Sequence, residues 1–517
     1  MVRNSDAKKS EKKRMKAKKD GLQMLKNMSR HCVHNALMQS KLPLSDQLHG
    51  ANKMCPPESL HVLDVGITMY MQDRCKRGSA GGASTNELNR LHNIALSDIR
   101  RQSERDLPRG ATRSGLVETT HCQTSEHKGN FFLLMVIAHT ADGKLVLRHE
   151  LQYSQTQYKK WLDLLKLYLA MEEWFHDART TDEVDRARTV VAAVIFQIKK
   201  YFPRLDDSYG YKIPKMQALA KMIEYICLFG SAINFYGGPG EASHKSFVKA
   251  PGLKTQRRLS EFASQIAEQY YNVMVTKKAC KYVDIALAGT SLGDDTAHFT
   301  NNIDELEFTV EGKYKVDLYA DDRVHVKTKN KHLKKHGLHP SLVQVFRRLG
   351  VESDDVGDNS DAHNRSHQFS GYTRATVVGN SGQKTTYNAH PYFHGGPWYD
   401  WAYVYYEIEE EFGSVSKYYP SKILGFVKDC DDEVHAIIMC SCEPLLWRQL
   451  EENFVTKFKL CSKAGEEQVV PLLSLVDPIC VVPDYGSMDP EDDYLLILPK
   501  GQWSDYFGQR VDRQVES

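Results

Sequence analysis

Chemistry is densest in FGSAINFYGGPGEASHKSFVKAPGLKTQRR, residues 229–258. Gly237, Gly238, Pro239 and Gly240 spell a tight turn that neither a strand nor a helix interior would contain. One carboxylate, Glu241, follows at once, and then His244, Lys245, Lys249, Lys254, Arg257 and Arg258. Cations gathered at the start of a helix suit backbone phosphates. A carboxylate beside them could hold a divalent metal over such a phosphate. The same residues also describe a surface turn with a solvated basic face, and residue types alone leave both readings open.

Other constellations are sparser. Cys440 and Cys442, with Cys430 and Cys461, could suggest zinc. However, Cys-x-Cys inside a strand differs from the two-residue spacing on a turn that zinc knuckles use. His121, Cys122, His127 and His139 lie close in sequence and could equally be structural. WYDWAYVYYE is aromatic enough to stack bases, although alternate rings on a strand commonly pack a core. Asp64, in HVLDVG, is the one upstream acid in an apolar setting, readable as a metal ligand or as a helix-face residue.

The elements that must position these residues fall into two textures. Residues 31–73 read as helical, interrupted by prolines at 43, 56 and 57, and 74–129 as a polar, exposed excursion. Trp161, Leu162, Leu164, Leu165, Tyr168, Leu169 and Trp174 keep a helical period. Thr181 can cap a helix that stops before Pro203. Two further helices are expected over about 215–229 and from near Thr255 onward. After about residue 280 the pattern becomes strand, turn, strand in GKYKVDLYADDRVHVKT, and then an acidic stretch over 351–371 reads as a linker. Eight short alternating runs follow, from TRATVVG to YLLILP, with turn signals between them, which predicts a small antiparallel barrel or sandwich.

The whole chain of 517 residues carries 68 Lys+Arg against 66 Asp+Glu, so any nucleic-acid role must sit in local patches. One such patch is the start: residues 1–30 hold eleven Lys/Arg against three Asp/Glu, a basic disordered tail that could be a nuclear-import signal or a phosphate-binding arm. The longest apolar run, Phe131 to Ala138, is far short of the roughly 20 residues that span a bilayer, so no membrane is expected. Eleven cysteines without dense spacing read as reduced intracellular thiols.

The segment GGPGEASHKSFVKAPGLKTQRRLSEFASQIAEQYY resembles the signature of transposase-derived proteins of the diatom and protist type, themselves distantly similar to CACTA-type DNA transposases. NALMQSKLPLSDQLHGANKMCPPESLHVLDVGITMYM resembles that family's other landmark, a Pro-rich turn before a Leu-His helix. HPYFHGGPWYDWAYVYYE, YPSKILGFV and VVPLLSLVDPICVVPDYG resemble its C-terminal part. The resemblance implies an RNase H-like core interrupted by a helical insertion, with three carboxylates and two Mg²⁺ ions that transfer phosphoryl groups in DNA. It places Glu241 at the third acid and Lys245 at the lysine after it. The first two acids are expected upstream of the Leu-His landmark, where this chain has a basic tail and a helix. The histidine often found two residues after Lys215 is here Gln217.

The resulting expectation is an α+β multidomain chain. It comprises a tail over 1–30, a mainly helical transposase-like region over 31–285, a β-hairpin and acidic linker over 286–370, and a small β domain over 371–512. Its function is expected to be that of a nuclear, DNA-associated, truncated or degenerate transposase, needing Mg²⁺ only if active, with chromatin proteins as further partners of the β domain. The alternatives are a non-catalytic DNA- or chromatin-binding module and a decayed copy without function.

Overall fold

The computed structural model describes residues 58–72, 82–102, 107–108, 124–204, 210–237, 248, 250–253, 261–288, 308–318, 324–354, 367–378, 384–393, 396–410, 413–428, 433–445, 453–461, 466–489 and 492–515. The basic tail lies outside them.

The chain is an α+β protein: a helical region comes first and antiparallel sheets follow. The helical region opens with α1 (Ser59–Val62), which runs directly into a π-helical turn, Leu63–Thr68. Then come α2 (Gly82–Arg100), α3 (Thr124–His139), α4 (Ala141–Leu151), α5 (Gln155–His176) and α6 (Thr181–Tyr201). After these stand α7 (Pro214–Ala220), α8 (Met222–Phe229), α9 (Ala250–Leu253) and α10 (Phe262–Ala288). Of the stretch 74–129, the described residues 82–102 and 124–129 do not form the expected excursion. Leu88, Leu91, His92 and Ala95 give α2 a buried face, and α3 carries the apolar run Phe131–Ala138, buried throughout. No single helix among the described residues is long and apolar enough to cross a membrane.

Local chemistry explains the helix ends. Ser154 caps α5 and Gln157 reaches back to the Ser154 N–H at 2.9 Å. The cap of α6 is Thr180, one residue earlier than the sequence suggested. Its hydroxyl accepts from the Glu183 N–H, while the Glu183 carboxylate accepts from the Thr180 N–H at 2.8 Å. Phe202 ends that helix ahead of Pro203, as expected.

The sheets use every run anticipated as a strand: β1 (Phe308–Glu311), β2 (Tyr314–Leu318), β3 (Val324–Thr328), β4 (His367–Tyr372), β5 (Arg374–Val378), β6 (Lys384–Phe393) and β7 (Gly396–Tyr399). They continue with β8 (Trp401–Glu410), β9 (Gly413–Lys428), β10 (Val434–Cys440), β11 (Val455–Lys459), β12 (Gln468–Pro471), β13 (Leu475–Pro483) and β14 (Asp493–Ile497). One sheet runs β1-β5-β6-β7. The other runs β11-β14-β13-β8-β9-β4-β2-β3, with β10 branching from β9 and carrying β12. Among the described residues neither sheet closes, so the barrel expected from strand spacing is not formed: β3 and β11 remain as ends. The anticipated linker also carries structure at both ends. After α11 (Lys331–His336), α12 (Pro340–Asp354) reaches into it, β4 begins at its far side, and residues 355–366 lie outside the described set. Leu342, Val345 and Phe346 of α12 cover Tyr314, Val316 and Leu424 of the large sheet.

The helical region and the end of the β region share one core. Cys480, Val482, Leu495 and Ile497 from β13 and β14 join it, as do Trp503, Tyr506 and Phe507 of the terminal helix α13 (Trp503–Val515). Trp503 sits 5.5 Å from Phe132 and 5.1 Å from Phe454, ring centre to ring centre. Polar ties reinforce the junction: Asp484 accepts from the Ala141 N–H at 2.7 Å, and the Tyr485 hydroxyl donates to Asp98 at 2.6 Å.

Replacing Trp503 with Ala removes a fully buried ring that touches both regions. The expected cost is about 3–5 kcal/mol. Circular dichroism at 222 nm during urea unfolding should show the helical signal lost earlier than in the parent. Unchanged helical stability would mean that α13 only decorates the helices.

Candidate functional site

Three segments distant in sequence meet under α1. The first is Glu58 to Thr68. Glu58 caps α1, accepting from the Leu60 and His61 N–H groups at 3.0 and 2.9 Å, and it bonds the His61 ring. The second is the segment that leads into the glycine turn. The Gly237 N–H donates to the same Glu58 carboxylate, and the Ser59 hydroxyl donates to the Ala232 carbonyl at 3.2 Å. Burial works against ionised Glu58, but the bonds from His61, Gly237 and Leu60 hold its carboxyl below the usual range. The third segment is the C-terminal half of α5, which brings Glu172, Glu173 and His176.

The π turn gives the first segment its shape. Gly66 is required there, because a Cβ would stand 2.6 Å from the His61 carbonyl oxygen and 3.0 Å from Cδ of Lys215. Widened turns of this kind are frequent at functional sites. Within the turn, Asp64 is buried (2 % exposed) within hydrogen-bonding reach of Glu172 (1 % exposed). Asp64 Oδ1 and Glu172 Oε2 have no other partner, and a proton held on Asp64 supplies the missing donor. Burial and the Glu172 charge push the Asp64 carboxyl up to about 9, so it is protonated at neutral pH.

The counter-charge is Lys128 of α3. Its Nζ lies 3.0 Å from Glu172 and 3.1 Å from Glu173, and Glu173 is also held by Lys500 at 3.0 Å. Burial opposes the Lys128 charge, but Glu172, Glu173 and Asp64 outweigh it and hold the ammonium above its ordinary value. His176, edge-on to Tyr236 at 5.4 Å, is pushed down by burial and by Lys128, so it stays neutral. Tyr168 stands behind the turn, 3.1 Å from the Thr68 hydroxyl.

This arrangement differs from the one the sequence singled out. Asp64, read as a metal ligand or as a helix-face residue, is buried in the π turn beside Glu172. Gly237 is described and tied to Glu58. Gly238, Pro239, Gly240, Glu241, His244, Lys245, Lys249, Lys254, Arg257 and Arg258 lie outside the described residues. Lys128, Glu172 and Glu173 were missed. For Glu172 and Glu173 a signal was present, two carboxylates set among apolar residues in LAMEEWFH, whereas Lys128 stands among polar residues in TSEHKGN. Among the described residues no three His, Cys, Asp or Glu side chains are arranged to hold a metal. His127 bonds Gln72 at 3.2 Å and His139 bonds the Met135 carbonyl at 2.8 Å, while His121, Cys122 and Cys430 are outside the described set. Trp401 and Tyr403 are buried in the core of the large sheet and are not free to stack bases.

Two variants check the cluster. The folded Asp64 value of about 9 stands above the unfolded 3.8. Asp64 therefore contributes fully below about pH 4 and loses that contribution as pH rises toward 9. Asp64→Asn keeps the shape and a donor without the titration. Its stability relative to the parent should improve from pH 5 to pH 9, by at most about 1.4 kcal/mol per pH unit. Parallel melting curves across that range read the effect, and a pH-independent difference would contradict it. Lys128→Met leaves the buried Glu172 carboxylate without its cation, while Glu173 keeps Lys500, and should cost about 3–5 kcal/mol. Adding Glu172→Gln and Glu173→Gln should recover part of that loss in the same denaturation assay.

No family model, curated protein or solved structure matches the chain.

Proposed function

We propose that this chain is a transposon-derived, DNA-associated nuclear protein that holds DNA without cutting it. On this reading the helical region corresponds to the insertion and end of an RNase H-like transposase core, and the antiparallel sheets form an appended β domain that offers a surface to chromatin proteins. The observation that carries the reading is the state of the acids. Lys128 occupies the space between Glu172 and Glu173, and Asp64 keeps its proton. A Mg²⁺ ion needs ionised oxygens and room for its octahedral shell. In this cluster Asp64 is protonated and the ionised oxygens of Glu172 and Glu173 are taken up by Lys128 and Lys500, so these acids do not fit a metal in this state, and Glu241 alone would not make a two-metal centre.

DNA association draws support from a second place as well as from the basic residues at 1–30 and 245–258. Lys327 on β3, Lys329 in the turn after it, and Lys331, Lys334 and Lys335 on α11 are exposed. Beside them His332 and His336 both stack on Tyr392, the latter at 4.2 Å. Lysines next to flat rings suit a phosphate backbone.

Duplex binding measured against salt tests this. Each lost phosphate contact flattens the slope of log K against log[salt] by about 0.9. Replacing Lys331, Lys334 and Lys335 with Ala should weaken binding and reduce the slope by up to about 2.7. Arg257 and Arg258 replaced together should reduce it by up to about 1.8. Neither the parent nor Glu241→Gln should nick DNA with Mg²⁺ or Mn²⁺. Metal-dependent cleavage by the parent would restore the enzyme reading, and unchanged affinity in both basic variants would remove DNA as the partner.

A further inference from the structure

The geometry points to a thiol–disulfide site at Cys442 and Cys461, which a small-molecule disulfide of the glutathione type would oxidise to an internal cross-link. The two residues lie where the end of β10 meets the end of β11. These strands share no ladder, only the isolated antiparallel bridge between Ser441 and Leu460. Backbone bonds on either side fix the approach: the Cys442 N–H donates to the Lys459 carbonyl at 2.8 Å, and the Cys461 N–H donates to the Cys440 carbonyl at 2.9 Å. The Cys461 thiol then donates to Cys442 Sγ across 2.8 Å. Two sulfurs this close need only a small turn of their side chains to reach a bond of about 2.05 Å.

The neighbourhood makes the pair selective. Cys440, two residues away, is buried, bonded to Ser421 at 3.3 Å and to Tyr406 at 3.8 Å, and its thiol is pushed up by burial. Cys480 is buried as well, whereas Cys442 is exposed. Burial, the bond to Cys442 and nearby Glu466 push the Cys461 thiol up to about 12, so it waits as the proton donor. Cys442 is therefore the sulfur that attacks. Its thiolate displaces one glutathione thiolate from the oxidant and leaves a mixed disulfide on Cys442. Cys461 gives its proton to Glu466 or water, attacks Cys442 Sγ and expels the second glutathione. Two protein thiols are oxidised to one disulfide, and one small disulfide is reduced to two thiols. The product staples strands that lack a ladder of their own and closes the chain from Cys442 to Cys461. In a reducing compartment the link lasts only while the glutathione pool is oxidised.

The test uses the full chain, reduced and then exposed to oxidised glutathione, with peptide mapping under non-reducing conditions. The parent should yield a Cys442–Cys461 linked peptide that dithiothreitol removes. Cys461→Ser should accumulate a glutathione adduct on Cys442, and Cys442→Ser should give no linked peptide. The oxidised parent should melt about 3 °C above oxidised Cys442→Ser, because the cross-link restricts the unfolded chain. Exposed Cys227 and Cys280 report that the oxidant reached the protein. Adducts on those two without any Cys442–Cys461 link would overturn the proposal, as would a link from Cys442 to another cysteine.

Discussion

A buried ammonium organises the helical region. Lys128 is enclosed by two helices and a π turn, and an uncompensated charge there would cost several kcal/mol. The compensation comes from Glu172 and Glu173 of α5, and Lys500, from the segment before α13, in turn balances Glu173, while Asp64 joins from the π turn as a neutral acid. The balance closes only if Asp64 stays neutral. Two carboxylates then face two ammonium groups, and the third acid supplies a hydrogen-bond donor. Burial keeps the proton on Asp64, and so does the repulsion of the excess anion that ionising it would leave beside Glu172.

That constraint also explains why the β region is not simply attached to the helices. Lys500 can reach Glu173 only because β14 and the turn after it lead into the shared core. Trp503 locks the same turn, donating its ring N–H to the Leu498 carbonyl at 2.8 Å while packing on Phe132 and Phe454. Apolar burial and charge pairing thus act on one stretch of about ten residues, and each holds the other's geometry.

Part of this was legible in the residues. α5 and α6 could be seen because each buries one face, so Trp161, Leu165, Tyr168 and Val184, Ala187, Val191 recur at helical spacing. The strands could be seen because turn residues punctuate them. α3 could not be seen: it is apolar on every side through Phe131–Ala138, so it has no period to detect. Nor could the pairing of β2 with β4 or β1 with β5, which depends on contacts across about fifty to seventy residues of chain. For the site, composition drew attention to the glycine turn and its cations, where many polar residues stand together. Lys128 stands in a polar stretch and Glu172 in an apolar one more than forty residues away, and only the fold shows that they share one pocket. Thr180 displaced Thr181 as a cap for a simpler reason: both can accept, and the carboxylate of Glu183 is three residues from the first.

The glycine turn and the acid cluster are mechanically linked through Glu58. Its carboxylate caps α1, whose last residue adjoins the π turn with Asp64, and it also takes the N–H of Gly237. A Cβ on Gly237 would fall 2.6 Å from the Glu58 carboxyl group, so the contact requires glycine at that place. Admitting a cation to Asp64 and Glu172 would require Lys128 to withdraw and Asp64 to lose its proton. Both changes need water beside α1, and the tie to Gly237 helps keep α1 seated. Gly237 is thus tied through Glu58 to the segment that carries Asp64, and the internal lysine is the cation that Glu172 and Glu173 face.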